Sequence, residues 1–430
     1  MTVRDLLQIE ESEQLAEEIN NNNNNNNNNS AGTDTGLQIN NNTKNIEFSV
    51  DSIYPLSELD NELNTTNTGS IDQGDGEIRL QTGSNINGSA TLDTVRVGTH
   101  IPGQVSEVGI SLRISNVAPS VNHKLVVGKT DGDNGIYFGL DSTGFFIEFV
   151  KRNTTTDPTP TPLRIDQTNW SEDPLNGTGE SGIDLNDNIT NNEGIKFILN
   201  YESIYGLFEF FIEIVRNNEI KKLLVHKQFN SIPQILDLNV PLRVQIDNNG
   251  TGTNWEVRVN NRYYANFGDK KQPGVKVTAQ RLDQNTLSNN RKPLVAFRRK
   301  TLYNGRQNHI EIFLGNICIG SDNREHAIEI FIDDIGEVSG GTWSDPEFLP
   351  SNESALEINN NPANYTPSTN ALRLYTSGLL KDVAFTLEDL NTIVTQFKSL
   401  PKNKELILVV TPIDGNGLVE ITSLSLIENR

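Results

Sequence analysis

Two short acidic loops are the residues best equipped for metal chemistry. Asp131-Gly132-Asp133-Asn134 clusters oxygen ligands, and Asp184 to Asp187 does the same. Calcium takes roughly six to eight such oxygens, but neither loop has the downstream spacing and terminal Glu of a helix-loop-helix site. Asp, Asn and Gly are also what β-turns use, and a turn is the simpler reading of both loops. No cofactor is expected; a surface Ca²⁺ at one of these loops is the exception left open. The five histidines, His100, His123, His226, His309 and His326, lack the paired spacing of a zinc site. No Gly-x-Ser-x-Gly elbow is present. Two carboxylates flanking a sugar would give glycosidase chemistry, with Asp173 near Trp170 as the residue to test, but spacing singles out no pair. The chain therefore reads as non-enzymatic, with no catalytic and no metal-binding residues.

Aromatic residues offer a second kind of chemistry. Trp170, Tyr263 and Tyr264 are candidates for stacking on a sugar ring. Core packing is the competing reading, strongest for Trp255, which lies in an alternating strand. Arg291, Lys292, Arg298, Arg299, Lys300 and Arg306 form the main basic concentration. One reading is contact with an acidic neighbour; the simpler one is a strand edge kept from aggregating by its charges.

The net charge of −21 argues against nucleic acid, since phosphate contacts need Lys and Arg. Cys318 is the single cysteine, so no intrachain disulfide framework exists. No apolar run approaches the roughly 20 residues that cross a bilayer, and no secretory signal opens the chain. Membrane partners are not expected.

The elements that must position these groups are strands. Short runs rich in Ile, Val and Phe are separated by Gly, Asn and Asp turns. Ile46–Val50, Ile110–Ile114, Lys196–Asn200, Leu207–Val215, Leu223–His226 and Trp255–Val259 all read as strands. So do Leu294–Lys300 and His309–Leu314, which the Asn304-Gly305 turn joins into an expected hairpin. Ala327–Ile332, Leu406–Val410 and Val419–Leu426 follow. The polar stretch Asn61 to Gly69 reads as a separator, and the Pro/Thr-rich Thr154 to Pro162 as a loop that no central strand could contain. One helix is expected from Thr386, with Leu387, Leu390, Ile393, Val394 and Phe397 on its apolar face. The gaps are too short for crossover helices, so the fold class is mainly β, with antiparallel β-sandwich or jelly-roll domains. At the N-terminus, residues 3–19 suit a short amphipathic helix with Leu6, Leu7, Leu15 and Ile19 near one face. Asn20–Asn29 follows as a flexible tether with nothing to bury. The expected division is a docking helix and Asn-rich arm at 1–45, a β-sandwich domain at 46–290, and a second β-rich domain with one short helix at 291–430.

Several phrases recur in a known order. Gly76–Gly83 leads to Asn87-Gly88-Ser89-Ala90, and Pro102-Gly103 precedes the strand Val108–Ile114. Asp131–Gly139 and Gly144–Arg152 come next, then Trp170 with Asp173 and Leu175–Gly182. Pro293-Leu294, Arg298–Thr301 and Asn304–Asn308 close the series. Between Gly74 and Asn323 this order resembles virion structural proteins of tailed bacteriophages and other large DNA viruses. The arm lies outside the resemblance. The resemblance implies a non-enzymatic structural protein attached to a capsid or tail, assembled in the host cytoplasm and located in the virion. It implies other virion proteins as partners and a homo-oligomer, with a trimer as the first expectation; the apolar face of the arm, Leu6, Leu7, Leu15 and Ile19, is read separately as the surface that docks onto another virion subunit. A host-glycan-binding fibre or adhesin is the alternative reading, and a polysaccharide depolymerase a third.

Overall fold

A computed structural model describes residues 44–101, 104–115, 123–152, 160–202, 206–229, 239–250, 252–268, 274–286, 290–321, 325–346, 349, 353–376, 399–413 and 416–429. The first sandwich opens with β1 (Lys44–Asp51), β2 (Asn61–Thr66), β3 (Ser70–Gly74), β4 (Glu77–Gln81) and β5 (Ser89–Thr94). It continues through β6 (Val105–Ile114), β7 (Lys124–Thr130), β8 (Gly135–Asp141), β9 (Gly144–Arg152) and β10 (Pro160–Asp166). A short helix, α1 (Leu185–Thr190), precedes β11 (Gly194–Glu202), β12 (Leu207–Arg216), β13 (Glu219–Phe229), β14 (Leu242–Asp247) and β15 (Glu256–Phe267).

These strands form two antiparallel sheets. An eight-stranded sheet runs β13-β12-β11-β6-β15-β4-β3, with β1 paired to β15; a seven-stranded sheet runs β10-β9-β8-β7-β14-β5-β2. Alternation builds the core between them. Ile136, Phe138 and Leu140 of β8 and Phe145, Ile147 and Phe149 of β9 point inward, against Phe197 of β11 and Phe208 and Phe210 of β12. Phe138 sits at the centre, 4.9 Å from the Phe197 ring, 5.4 Å from Phe210 and 6.2 Å from Trp170. Of the proline-bearing segment, the described residues 160–162 open an edge strand, β10, paired only with β9 among the described strands. Proline is tolerated there because its missing N–H faces away from the ladder. The expected separator at Asn61 to Gly69 contains the strand β2, whose polar, mostly exposed residues hide its pairing with β5.

The second sandwich comprises β16 (Val275–Thr286), β17 (Lys292–Arg299), β18 (Leu302–Tyr303), β19 (Arg306–Gln307), β20 (Glu311–Ser321), β21 (His326–Asp334) and β22 (Val338–Ser339). Then come β23 (Trp343–Ser344), β24 (Leu356–Asn359), β25 (Asn364–Tyr365), β26 (Leu372–Thr376), β27 (Lys404–Pro412) and β28 (Gly417–Asn429). A three-stranded sheet, β16-β28-β20, faces a six-stranded one, β23-β24-β17-β27-β21-β26. Because β16 pairs with β28, the strand pairing divides the sandwiches between Phe267 and Val275 rather than at residue 290. The Asn304-Gly305 turn is present, with φ of 51° and 76°. It closes only the short pair β18-β19, however, so the expected long hairpin does not form. β17 and β20 belong to different sheets, and the turn is a corner between layers. The helix expected from Thr386 and the docking residues Leu6, Leu7, Leu15 and Ile19 lie outside the described residues.

Replacing Phe138 by Ala removes the ring on which three aromatic contacts converge. We expect a loss of about 3–5 kcal/mol of unfolding free energy, read from the urea midpoint at unchanged slope. A loss below about 1 kcal/mol would show that the seam is not where the sandwich is held.

Candidate binding face

The inward alternation of β8 and β9 forces Tyr137, Gly139, Phe146 and Glu148 onto the opposite, outward face of the seven-stranded sheet. Gly128 stands beside Tyr137 and Gly139 beside Phe146. A Cβ at Gly139 would run into the Phe146 ring, and one at Gly128 into Tyr137. The Phe146 ring therefore lies on bare backbone, which only glycine permits at this distance, while at Gly128 the close neighbours are the Ile136 carbonyl and the Tyr137 Cα and Cβ. With Val126 and Val150, Tyr137 and Phe146 form a small apolar cluster outside the main core. The two rings meet edge to face at 6.4 Å.

Ionised groups frame this cluster. The Arg164 guanidinium of β10 stacks 3.7 Å from the Phe146 ring centroid. It donates to Asp166 at 2.7 Å, Asp141 at 2.6 Å and Thr143 at 2.7 Å. Burial works against that charge, but Asp141 and Asp166 outweigh it and raise the Arg164 pKa. Burial raises the Asp141 carboxyl, yet hydrogen bonds from Arg164 and Thr143 hold it below its ordinary range. Lys124 donates to the Tyr137 hydroxyl at 3.3 Å and lies 3.6 Å from Glu148. Burial, then the charge of Glu148, pushes the Tyr137 hydroxyl well above its ordinary range, so it stays a neutral donor. The result is a buried aromatic pair, Tyr137 at 5% and Phe146 at 0% exposed, beneath a rim of partly exposed donors and acceptors. What this face offers outward is the rim, whose hydrogen-bonding groups are fixed in direction by the rings under them.

Of the residues singled out by sequence, Tyr263 occupies the corresponding outward face of the eight-stranded sheet. Its ring lies over Gly109, its hydroxyl donates to Glu107 at 2.6 Å, and Lys44 sits 4.4 Å above it. Burial raises the Glu107 carboxyl, but Lys222 and Lys44 outweigh it and hold the pKa low. Tyr264 points the other way, as its neighbour in a strand must. It is fully buried, with its hydroxyl 2.9 Å from Ser106 and 3.1 Å from the Thr99 carbonyl. Trp170 is also a core residue, edge-on to Phe138 and 5% exposed. Neither Trp170 nor Tyr264 presents a ring face to a ligand, which corrects the expectation for both. Asp173 accepts from the backbone N–H groups of Leu175 and Ser181, so it pins a loop.

The acidic loops are structural in this arrangement. Asp131 accepts from the Asp133 and Asn134 N–H groups through Oδ1 and meets His309 through Oδ2. Asp184 caps α1 through the Asn186 N–H. Among the described residues, no three His, Cys, Asp or Glu side chains gather as metal ligands. In the basic stretch, Arg291 pairs with Glu329, Arg298 with Glu357, and Arg299 is buried against Ser399. Sequence reasoning missed Tyr137, Phe146 and Arg164. The available signal was Gly139, a glycine inside an otherwise apolar strand, which marks a close approach.

Substituting Gly139 with Ala forces Phe146 off its seat. We expect a loss of about 1–3 kcal/mol in urea unfolding, as for other overpacked sites. Adding Phe146→Ala should make the pair's combined effect smaller than the sum of the two single losses. Strict additivity would show that ring and glycine are not in contact.

No family model and no curated protein matches the chain. Among solved structures, a legume lectin-like domain from Entamoeba histolytica is 14% identical, covers 48% of this chain and 89% of its own, and has a TM-score of 0.29. Arcelin-5, a lectin-like defence protein from Phaseolus vulgaris, is 9% identical over 52% of this chain and 99% of its own, at 0.33. A conserved carbohydrate esterase from the Shiga toxin-encoding bacteriophage phi24B is 8% identical over 53% of this chain and 100% of its own, at 0.29. Likeness at these scores carries no argument about function; the β-sandwich architecture stands on the strand pairing described above.

Proposed function

We propose that this protein is a non-enzymatic binding and display component of a virus particle, and that its first sandwich presents the Tyr137–Phe146 face to a neutral glycan. The observation that supports the glycan reading is the rim of Arg164, Asp141, Thr143, Asp166, Lys124 and Glu148, exposed in part and held in place over the buried Tyr137 and Phe146 rings. Such a rim holds a sugar by hydrogen bonds of fixed direction to its hydroxyls. The rim includes Asp141, Asp166 and Glu148 against Lys124 and Arg164, a balance that disfavours acidic sugars. The particle setting rests on the motif order from Gly74 to Asn323. Self-association, with a trimer as the first expectation, belongs to the same reading.

Screening the purified protein against neutral oligosaccharides tests it. We expect a reproducible ligand, no release of reducing sugar, and a loss of at least about tenfold in affinity in Phe146→Ala, close to ~1.4 kcal/mol. Lys222→Ala, on the opposite sheet, should leave binding unchanged. Binding that survives Phe146→Ala and Arg164→Ala would move the site elsewhere. Hydrolysis lost in Asp173→Asn would replace the reading with a depolymerase.

A further inference from the structure

The two sandwiches meet over side chains that are ionisable and almost wholly buried. Glu311 opens β20 in the second sandwich and is 0% exposed. Its carboxylate accepts from the N–H groups of Val97, at 2.9 Å, and Gly98, at 3.4 Å, both in the loop after β5. Arg96 of the same loop lies 3.4 Å from it and packs its guanidinium between Phe48 of the first sandwich and Phe313 of the second. Lys129 holds the other side of that loop by donating to the carbonyls of Val97 and Gly98. A second crossing pairs His309 with Asp131 at 3.0 Å, with side chains 3% and 4% exposed. At the rim, Lys404 reaches Glu58 at 2.9 Å and Lys402 reaches Glu62 at 3.7 Å. Leu59 packs from the first sandwich onto the second core.

We propose that this joint is a charge lock that makes the two sandwiches fold and unfold as one unit, so that the binding face is held in fixed orientation to the second sandwich. The physical ground is asymmetry. A buried ion pair adds little stability by itself, but removing one partner while the joint stays closed leaves the other charge uncompensated in a poorly hydrated place. Opening the joint would strip Glu311 of two backbone donors and Arg96, and Asp131 of His309. Each half alone would then lack the partners that the other half supplies to Glu311 and Asp131. Burial raises the Asp131 carboxyl, but His309 and the backbone donors outweigh it and hold the pKa below the ordinary 3.8. On the Asp131 side the contribution is therefore present above the ordinary value and lost as pH falls through the lowered one. Arg243 and Lys402 also face Asp131. Around Glu311, Glu47 is raised by burial and by Glu311 itself, so its protonation in acid relieves repulsion rather than opening the joint.

The tryptophans give a direct test on the full chain. Trp170 and Trp255 lie in the first sandwich and Trp343 in the second. With Trp343→Phe, emission reports the first sandwich alone while far-ultraviolet circular dichroism reports both. At pH 7 the urea midpoints from the two probes should coincide. Adding Glu311→Gln should separate them, with the dichroism gaining an earlier step. Asp131→Asn, which keeps a carbonyl oxygen for its own turn, should separate them less. Non-coincident midpoints in the Trp343→Phe parent, or coincident midpoints in both added variants, would overturn the lock.

Discussion

The aromatic seam between the sheets of the first sandwich is the constraint on which the rest depends. Phe138 meets Phe197, Phe210 and Trp170 there, and Phe149 meets Phe208 and Phe210 at 5.3 and 5.6 Å. Side chains alternate along a strand, so a slip of one residue would send every inward ring to the outside. The seam thereby pins the register of β8 and β9. Once pinned, Tyr137 and Gly139 must face outward from β8, and Phe146 and Glu148 from β9. The placement of the proposed binding face follows from the core.

The same device appears on both outer faces of the sandwich. Phe146 lies on Gly139 with the Arg164 guanidinium over it; Tyr263 lies on Gly109 with the Lys44 ammonium over it. In each case an aromatic ring gives up solvent exposure to backbone on one side and to a cation on the other. The faces differ in what lies next to the ring. On the seven-stranded sheet Tyr137 meets Phe146 edge to face, and Arg164 of the edge strand reaches over Phe146. On the eight-stranded sheet the neighbouring Lys196 pairs with Glu213 and Lys222 with Glu107, which closes the surface with charge. Only the first arrangement joins two rings in one apolar patch.

Much of the fold was legible because the period-two signal is strong wherever a strand buries one face. β6 and β12 carry apolar alternations, while β11, β17, β21 and β27 carry apolar runs buried largely on both faces, and either pattern marks a strand. β2 carries neither, since an edge strand with polar residues on both faces has no alternation to display. The pairing of β16 with β28 was equally invisible, being set by contacts across some 140 residues rather than by local pattern. Asn304-Gly305 specified a turn correctly but could not specify that the flanking strands part into different sheets. At the site, Tyr263 and Tyr264 were grouped as sugar contacts although adjacent strand residues face opposite ways; that rule alone separates them. Trp170 gave no such signal, because a loop residue carries no period. The charges that join the sandwiches come from loops and strand ends, and their pairing is three-dimensional.

The claim that the Tyr137–Phe146 face binds the ligand is tested most directly by hydrogen–deuterium exchange, with and without a saturating neutral oligosaccharide identified by screening. The account predicts slower exchange confined to residues 135–152 and 160–166, where β8, β9 and β10 carry the platform and its arginine. Protection that instead falls on β6, β11 and β15, or on the second sandwich alone, would contradict it.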